Sequence, residues 1–221
     1  MSARPKAAVK RFSVSLGLNS TTTFERGDFM EDSPEWPSYT IGPKESLFAI
    51  GVASAKFAEL ESVIEFIFGT VFGIGMNAAT LIVAKIGSGT ALGLMEKQLP
   101  QLEWSDDIKD RVEHFFKGIK ICTDNRNQIV HSNLAWTGAN QKTVLYKTSK
   151  NGNVTASAQT AEQLRACADE INTYCVFGRQ LGNAIGNSST SPPAFPASAF
   201  PLPDKCPLPR PLEFQSDSIP L

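Results

Sequence analysis

The sequence has little of several features that commonly reveal a function. It contains only two histidines and four cysteines, and no two cysteines stand in a CxxC pair or in another paired spacing. Reduced core thiols are therefore favoured over disulfides, since Cys122 and Cys167 fall on apolar helix faces. No arrangement of histidine, cysteine, aspartate and glutamate has the spacing of a metal site, and we expect neither a metal nor a cofactor.

The chain also lacks a strong net charge and a long apolar run. Its 21 basic and 22 acidic residues leave a formal charge of -1, so any RNA contact has to come from local groups. No secretory h-region opens the sequence, and the most apolar stretch, residues 64–74, is interrupted by Glu65 and by glycines. We expect a cytoplasmic protein that does not enter a membrane.

Composition divides the chain into three parts. Residues 1–44 are a polar lead-in, partly ordered at most, in which alternating apolar residues at 12–18 predict one short strand. Residues 45–186 carry the apolar periodicity of one helical domain. Residues 187–221 are rich in serine and proline and include PLPRP at 207–211, which predicts a disordered tail with polyproline character. A ligand for an SH3-like partner is the alternative interpretation of this tail.

The fold class predicted for residues 45–186 is mainly α, an antiparallel bundle of about four helices. Periodic apolar residues predict helices over 46–72, 77–99, 105–131 and 160–185, with Ser46, Ser105 and Thr160 as caps. Inside the second helix, GSGTALG at 87–93 favours a kink over a phosphate-binding loop, because the preceding segment is helical and no GK[ST] follows. Between the third and fourth helices, strand-like runs around Asn151-Gly152 predict a β-hairpin or meander over about 133–157.

The end of the third helix breaks its own pattern. Arg126 falls on the apolar stripe, and because a guanidinium cannot lose its charge it needs a carboxylate, a phosphate or a subunit boundary there. Asp124, Asn127 and His131 share the neighbouring strip at spacings of three, four and seven. This group of polar residues is the candidate site.

Two glutamates on the first helix are candidate partners for that arginine. Glu61 and Glu65 lie one turn apart at the border of the apolar stripe. They are either a solvated edge or a supporting ion pair with Arg126 across the helix pair, and Glu61 is the favoured partner.

The sequence FAELE at 57–61, followed by RNQIVH at 126–131, resembles the HEPN superfamily. The usual mark of that superfamily is an arginine, often followed by asparagine, and then a histidine after four to six intervening residues; here four intervene. The tryptophan-bearing strand predicted after the motif is similar to that of small bacterial HEPN-like proteins. The resemblance covers residues 45–186 and implies a helical bundle that forms a homodimer, with its two copies of the motif facing each other.

In active HEPN members the composite site is a metal-independent endoribonuclease. The resemblance therefore implies RNA as the substrate, a role such as a toxin or a phage-defence effector, and an antitoxin or another protein as a partner. By the same resemblance, Arg126 would stabilise the scissile phosphate and His131 would act as general acid or base. Asn127 and Asp124 would position the substrate. Asn133 stands where toxins silenced by nucleotide transfer carry a tyrosine, so that form of regulation is not expected.

The alternative is a non-catalytic HEPN-like dimer that binds a protein partner or a nucleotide. Positive charge on the helices is sparse, which favours this alternative. In it, Arg126 and Asn127 would hold the helix pair together. The direction in which Arg126 points distinguishes the two hypotheses, because pairing with Glu61 or Glu65 indicates a structural role and an accessible position beside His131 indicates chemistry.

Overall fold

The computed structural model describes residues 12–16, 20–24, 42–137, 142–148, 154–188 and 200–213. The chain divides into two units, Met1–Thr40 and Ile41–Leu221. The smaller unit contains an antiparallel hairpin of β1 (Phe12–Leu16) and β2 (Ser20–Phe24). The strand predicted near residues 12–18 is confirmed as β1, whereas β2 was not predicted.

The described part of the larger unit contains five α-helices around one core. They are α1 (Lys44–Phe72), α2 (Met76–Ile86), α3 (Ser88–Gln98), α4 (Asp106–Val130) and α5 (Ala161–Ser188), and a short 3-10 turn, Leu99–Gln101, follows α3. Each helix contributes apolar side chains to one continuous buried cluster. The predicted mainly α fold is confirmed. Within the described residues no single helix is long and apolar enough to cross a membrane. Together α1 and α2 reach that length and apolar character, but they are bent by 115° where they meet.

A small antiparallel sheet follows α4. Its strands are β3 (Asn133–Thr137), β4 (Lys142–Thr148) and β5 (Val154–Gln159), in that order. Leu145 in the central strand is fully buried and joins the helical core, which anchors the sheet to the bundle. The predicted meander is confirmed, and its Asn151-Gly152 turn lies outside the described residues.

The second predicted helix is two helices. Gly87 has a φ of 82° and separates α2 from α3, a backbone conformation that glycine adopts more readily than other residues. The prediction of one continuous helix over 77–99 was therefore wrong. At the predicted kink the helix ends and a new one begins.

Two of the three predicted helix caps form. The Ser105 hydroxyl accepts a 3.4 Å hydrogen bond from the Ile108 N–H, and the Thr160 hydroxyl accepts a 3.2 Å bond from the Gln163 N–H. The Gln163 side chain in turn accepts from the Thr160 N–H at 2.8 Å, which completes a capping box. Ser46 is not a cap, because α1 begins at Lys44 and places Ser46 inside its first turn, where it is buried.

Residues 200–213, which we call the strap, do not form the disordered tail predicted for 187–221. They have no regular secondary structure and lie along α4 and α5, and Leu212 belongs to the buried apolar cluster. The prediction failed because a proline-rich segment, which cannot form a helix or sheet by itself, is held here by side chains of the bundle. Asn125 of α4 is the most buried of those side chains, at 1% exposed.

Candidate functional site

The C-terminal end of α4 presents the residues of the RNQIVH sequence. Ile129 is buried, whereas Arg126 and Asn127 are half-buried and His131 is exposed. The His131 N–H donates to the Asn127 carbonyl at 3.1 Å, so His131 closes the helix. The amphipathic helix thus brings Arg126, Asn127 and His131 to one end of the bundle, as the sequence predicted.

Arg126 lies against α1 without meeting a carboxylate among the described residues. Its guanidinium carbon is 5.3 Å from the centroid of the Phe57 ring, a cation–π distance. Its Nη1 donates a 3.1 Å hydrogen bond to the Asn127 side-chain oxygen. The ring and the amide fix the orientation of the guanidinium, and its charge is not neutralised within the described chain.

The predicted ion pair between Arg126 and a glutamate of α1 is wrong. Glu65 accepts a 2.9 Å hydrogen bond from the Thr80 hydroxyl of α2, and Glu61 accepts from Ser88 of α3 at 3.5 Å. Both carboxylates therefore face the short helices α2 and α3. The α1 residue that does lie against Arg126 is Phe57, one turn before Glu61.

A second cation reaches the same helix end from the sheet. Lys147 of β4 donates from Nζ to the Asn127 carbonyl at 3.1 Å. A helix C-terminus carries partial negative charge and unsatisfied carbonyls, so a cation there is stabilising. This lysine was not predicted to lie at the site, because its position depends on the pairing of β3 with β4.

The imidazole of His131 and the carboxylate of Asp124 are both exposed. Among the residues described here, the His131 ring makes no hydrogen bond. Val130 and Leu134, which flank it in sequence, are 44% and 38% exposed. The helix end therefore combines a fixed guanidinium, an accessible imidazole and exposed apolar side chains. Such a group offers a fixed cation to an anionic ligand and accessible imidazole nitrogens for hydrogen bonding.

Asn125, the neighbour of Arg126, is the site residue that the sequence reasoning missed. Its side-chain nitrogen donates to the Arg210 carbonyl, and its side-chain oxygen accepts from the Leu212 N–H, each at 2.8 Å. An asparagine on an apolar stripe gives no local signal of such a role, because both partners lie more than 80 positions away in sequence.

His114 of α4 is half-buried and contacts both the strap and the core. Its Nε2 lies 2.7 Å from the Cys206 carbonyl and 3.1 Å from the Tyr174 hydroxyl. Tyr174 is 1% exposed, and burial raises the pKa of its hydroxyl. His114 therefore joins the strap to the aromatic core between α4 and α5.

The cysteines are reduced and three of them are buried. Burial raises the pKa of the Cys122 thiol, and it raises those of Cys167 and Cys175 to about 11 each. A thiol reacts as its thiolate, so these three groups are poor nucleophiles in the folded protein. No group of three metal-ligating side chains occurs among the described residues.

No family model, no curated protein and no solved structure matches this chain.

Proposed function

We propose that this protein is a metal-independent endoribonuclease that acts through a site shared by two copies of the chain. The observation that carries the proposal is the state of Arg126, which is held by Phe57 and Asn127 and has no carboxylate partner among the described residues. A partly buried guanidinium without a counter-ion is a ready site for an anion such as a phosphodiester.

The proposed chemistry assigns one role to each residue of the helix end. Arg126 holds the scissile phosphate and stabilises the charge that develops on it. His131 moves a proton, either from the attacking 2'-hydroxyl or to the leaving 5'-oxygen. Asn127 fixes the guanidinium through its 3.1 Å hydrogen bond. Each of the two sites takes the guanidinium from one copy and the imidazole from the other, and solvent water carries the second proton.

The exposed side chains around His131 support the contact between copies. Val130 and Leu134 present apolar surface beside the imidazole. A two-fold contact there would bury that surface and bring two copies of Arg126 and His131 together. The resemblance to the HEPN superfamily implies the same arrangement.

Cleavage of a mixed single-stranded and hairpin RNA in the presence of EDTA tests the proposal. Wild-type protein should cleave, and both Arg126→Ala and His131→Ala should lose activity while light scattering shows an unchanged dimer. Arg165→Ala is the matched control, since Arg165 is an exposed arginine on α5 that has no role in the proposed chemistry. Absence of cleavage by wild type on several RNAs, or equal activity in His131→Ala, would contradict the proposal.

Mixing the two inactive variants tests whether the site is shared. If each site takes Arg126 from one copy and His131 from the other, mixed dimers contain one intact site in two. Random exchange should then restore about a quarter of the wild-type activity. Sites confined to one copy would leave the mixture inactive.

A further inference from the structure

The strap runs along α4 in the same chain direction and has no regular secondary structure. Arg111 donates from Nε to the Pro203 carbonyl at 2.8 Å, and Asn125 donates to the Arg210 carbonyl at 2.8 Å. Between these two points the His114 Nε2 lies 2.7 Å from the Cys206 carbonyl. Side chains of α4 therefore contact the strap backbone at three places along its length.

The burial of the strap repeats every three residues. Pro209 and Leu212 are buried, and Pro203 and Cys206 are half-buried, whereas most of the positions between them are exposed. A period of three is that of a polyproline II helix with one face against a surface. Prolines at 201, 203, 207, 209 and 211 favour that conformation before binding, which reduces the entropy lost when the segment is ordered.

Side chains of the groove under the strap contact the backbone of the strap. Arg111, His114 and Asn125 bond to three carbonyls of the strap, and Asn125 also accepts the Leu212 N–H. Asn125 is 1% exposed, and the strap satisfies both ends of its amide. Backbone contacts of this kind hold any extended peptide with the same spacing of carbonyls.

Two acidic side chains of the groove pair with basic residues of the strap. Asp110 of α4 pairs with Lys205 of the strap. Glu170 of α5 accepts from Arg210 twice, at 2.8 Å from its Nε and at 3.0 Å from its backbone N–H. The recognised pattern is therefore a lysine, an arginine five residues later, and an apolar residue two positions after that, on a proline-rich backbone.

Among the described residues, a cleft of about 660 Å³ lies beside residues 210–213, and α5 contributes Glu162, Gln163, Ala166 and Glu170 to its wall. Glu162 adds a further acidic group to the end of the groove.

We propose that the groove between α4 and α5 is a binding site for an extended, basic, proline-rich peptide of a partner protein. In the free chain the strap occupies this groove as an intramolecular ligand. The inference is independent of RNA cleavage, because it rests on Asn125, Glu170 and the strap and not on Arg126 or His131.

Peptide exchange in the otherwise intact chain tests this inference. A protease site inserted within residues 189–199 allows the covalent link to the strap to be cut after folding. A fluorescent synthetic peptide of residues 200–213 should then bind the cut protein, as measured by anisotropy. It should bind the uncut protein at least tenfold more weakly, because a tethered competitor acts at an effective concentration of about millimolar.

Two further peptides examine the recognised pattern. A peptide that keeps the prolines, Lys205, Arg210 and Leu212 but changes the other positions should bind within about tenfold of the strap sequence, as backbone reading requires. A peptide with Lys205→Glu, Arg210→Glu and Leu212→Asp should not bind. The proposal of a partner protein would be overturned if this peptide bound as tightly as the strap sequence. It would also be overturned if the strap sequence bound and the peptide with changed intervening positions did not.

A charge exchange separates recognition from folding. Glu170→Lys should lose the strap peptide and should gain a peptide that carries Arg210→Glu, a reversal that an unfolded variant cannot produce. Absence of binding by the cut wild-type protein would also overturn the proposal. So would a dimer of the uncut chain that Leu212→Asp dissociates, because a second copy would then be the occupant.

Discussion

The backbone N–H of Leu212 donates a 2.8 Å hydrogen bond to the side-chain oxygen of Asn125, 87 positions earlier in the chain. The same asparagine donates to the Arg210 carbonyl, so one amide closes a two-point contact with the strap. Arg126 follows Asn125 directly in α4. The strap contact and the candidate site therefore depend on the same turn of one helix.

Removal of the Asn125 amide should destabilise the protein. Asn125→Ala leaves the Leu212 N–H without its acceptor in a buried position, and the Arg210 carbonyl loses its donor. We expect a loss of about 2–4 kcal/mol, since each buried polar group left unsatisfied costs about 1–3 kcal/mol. Urea unfolding measures the loss. Glu113→Ala, an exposed change on the same helix, should stay within about 0.5 kcal/mol of wild type, and an equal effect of the two changes would contradict the role given to Asn125.

Close packing of α4 against α5 should make Gly118 intolerant of a methyl group. A Cβ at Gly118 would overlap the ring of Tyr174, which is fully enclosed in the core. Gly118→Ala should therefore lose about 1–3 kcal/mol or more through overpacking. Gly51→Ala is the matched control, because Gly51 is exposed in α1 and nothing lies within 4 Å of its added Cβ. That change should be neutral or should stabilise by about 0.5–1 kcal/mol, and thermal unfolding of both variants gives the comparison.

Local signals in the sequence predicted much of the fold. Ser105 and Thr160 act through residues three positions away, so the beginnings of α4 and α5 were readable from the sequence. The break at Gly87 was harder to place, because a glycine inside a periodic stretch is compatible with a kink as well as with two helices.

The candidate site was predicted in part for the same reason. Helical spacing alone places Asn127 and His131 one turn apart at the end of α4, with Arg126 in the same turn as Asn127, which a sequence shows directly. The surroundings of Arg126 depend on the rotation of α1, and that rotation places Phe57 and not Glu61 against it. The strap was missed because its order depends on partners such as Asn125 and Glu170, 40 or more positions distant.

The thiol of Cys206 should report on the attachment of the strap. Cys206 is half-buried, and burial raises the pKa of its thiol, so it should react slowly with a thiol reagent at pH 8. Leu212→Asp places a carboxylate in an apolar position and should increase the rate at Cys206 by about tenfold or more. Leu208→Asp is the control, since Leu208 is 46% exposed and its change should alter the rate by about twofold at most. Mass spectrometry of the labelled peptides identifies the modified thiol. Equal rates in the two variants would show that Leu212 does not hold the strap.

The attachment of the strap should weaken in acid. The pKa of the Asp110 carboxyl is held below its ordinary value, mainly because Lys205 donates a hydrogen bond to it. The positive charges of Lys205, Arg111 and Lys117 lower it further. A carboxylate whose pKa is lowered in the folded state stabilises that state above its ordinary pKa, near pH 4, and loses this contribution as the pH falls through the lowered value. The hydrogen-exchange protection factor of the Leu212 N–H should therefore stay constant from neutral pH to about pH 5 and fall below about pH 4. Asp110→Asn should start with lower protection and show a smaller fall over the same range. A fall centred near neutral pH in wild type would contradict this account, because the titrating group would then be a histidine and not Asp110.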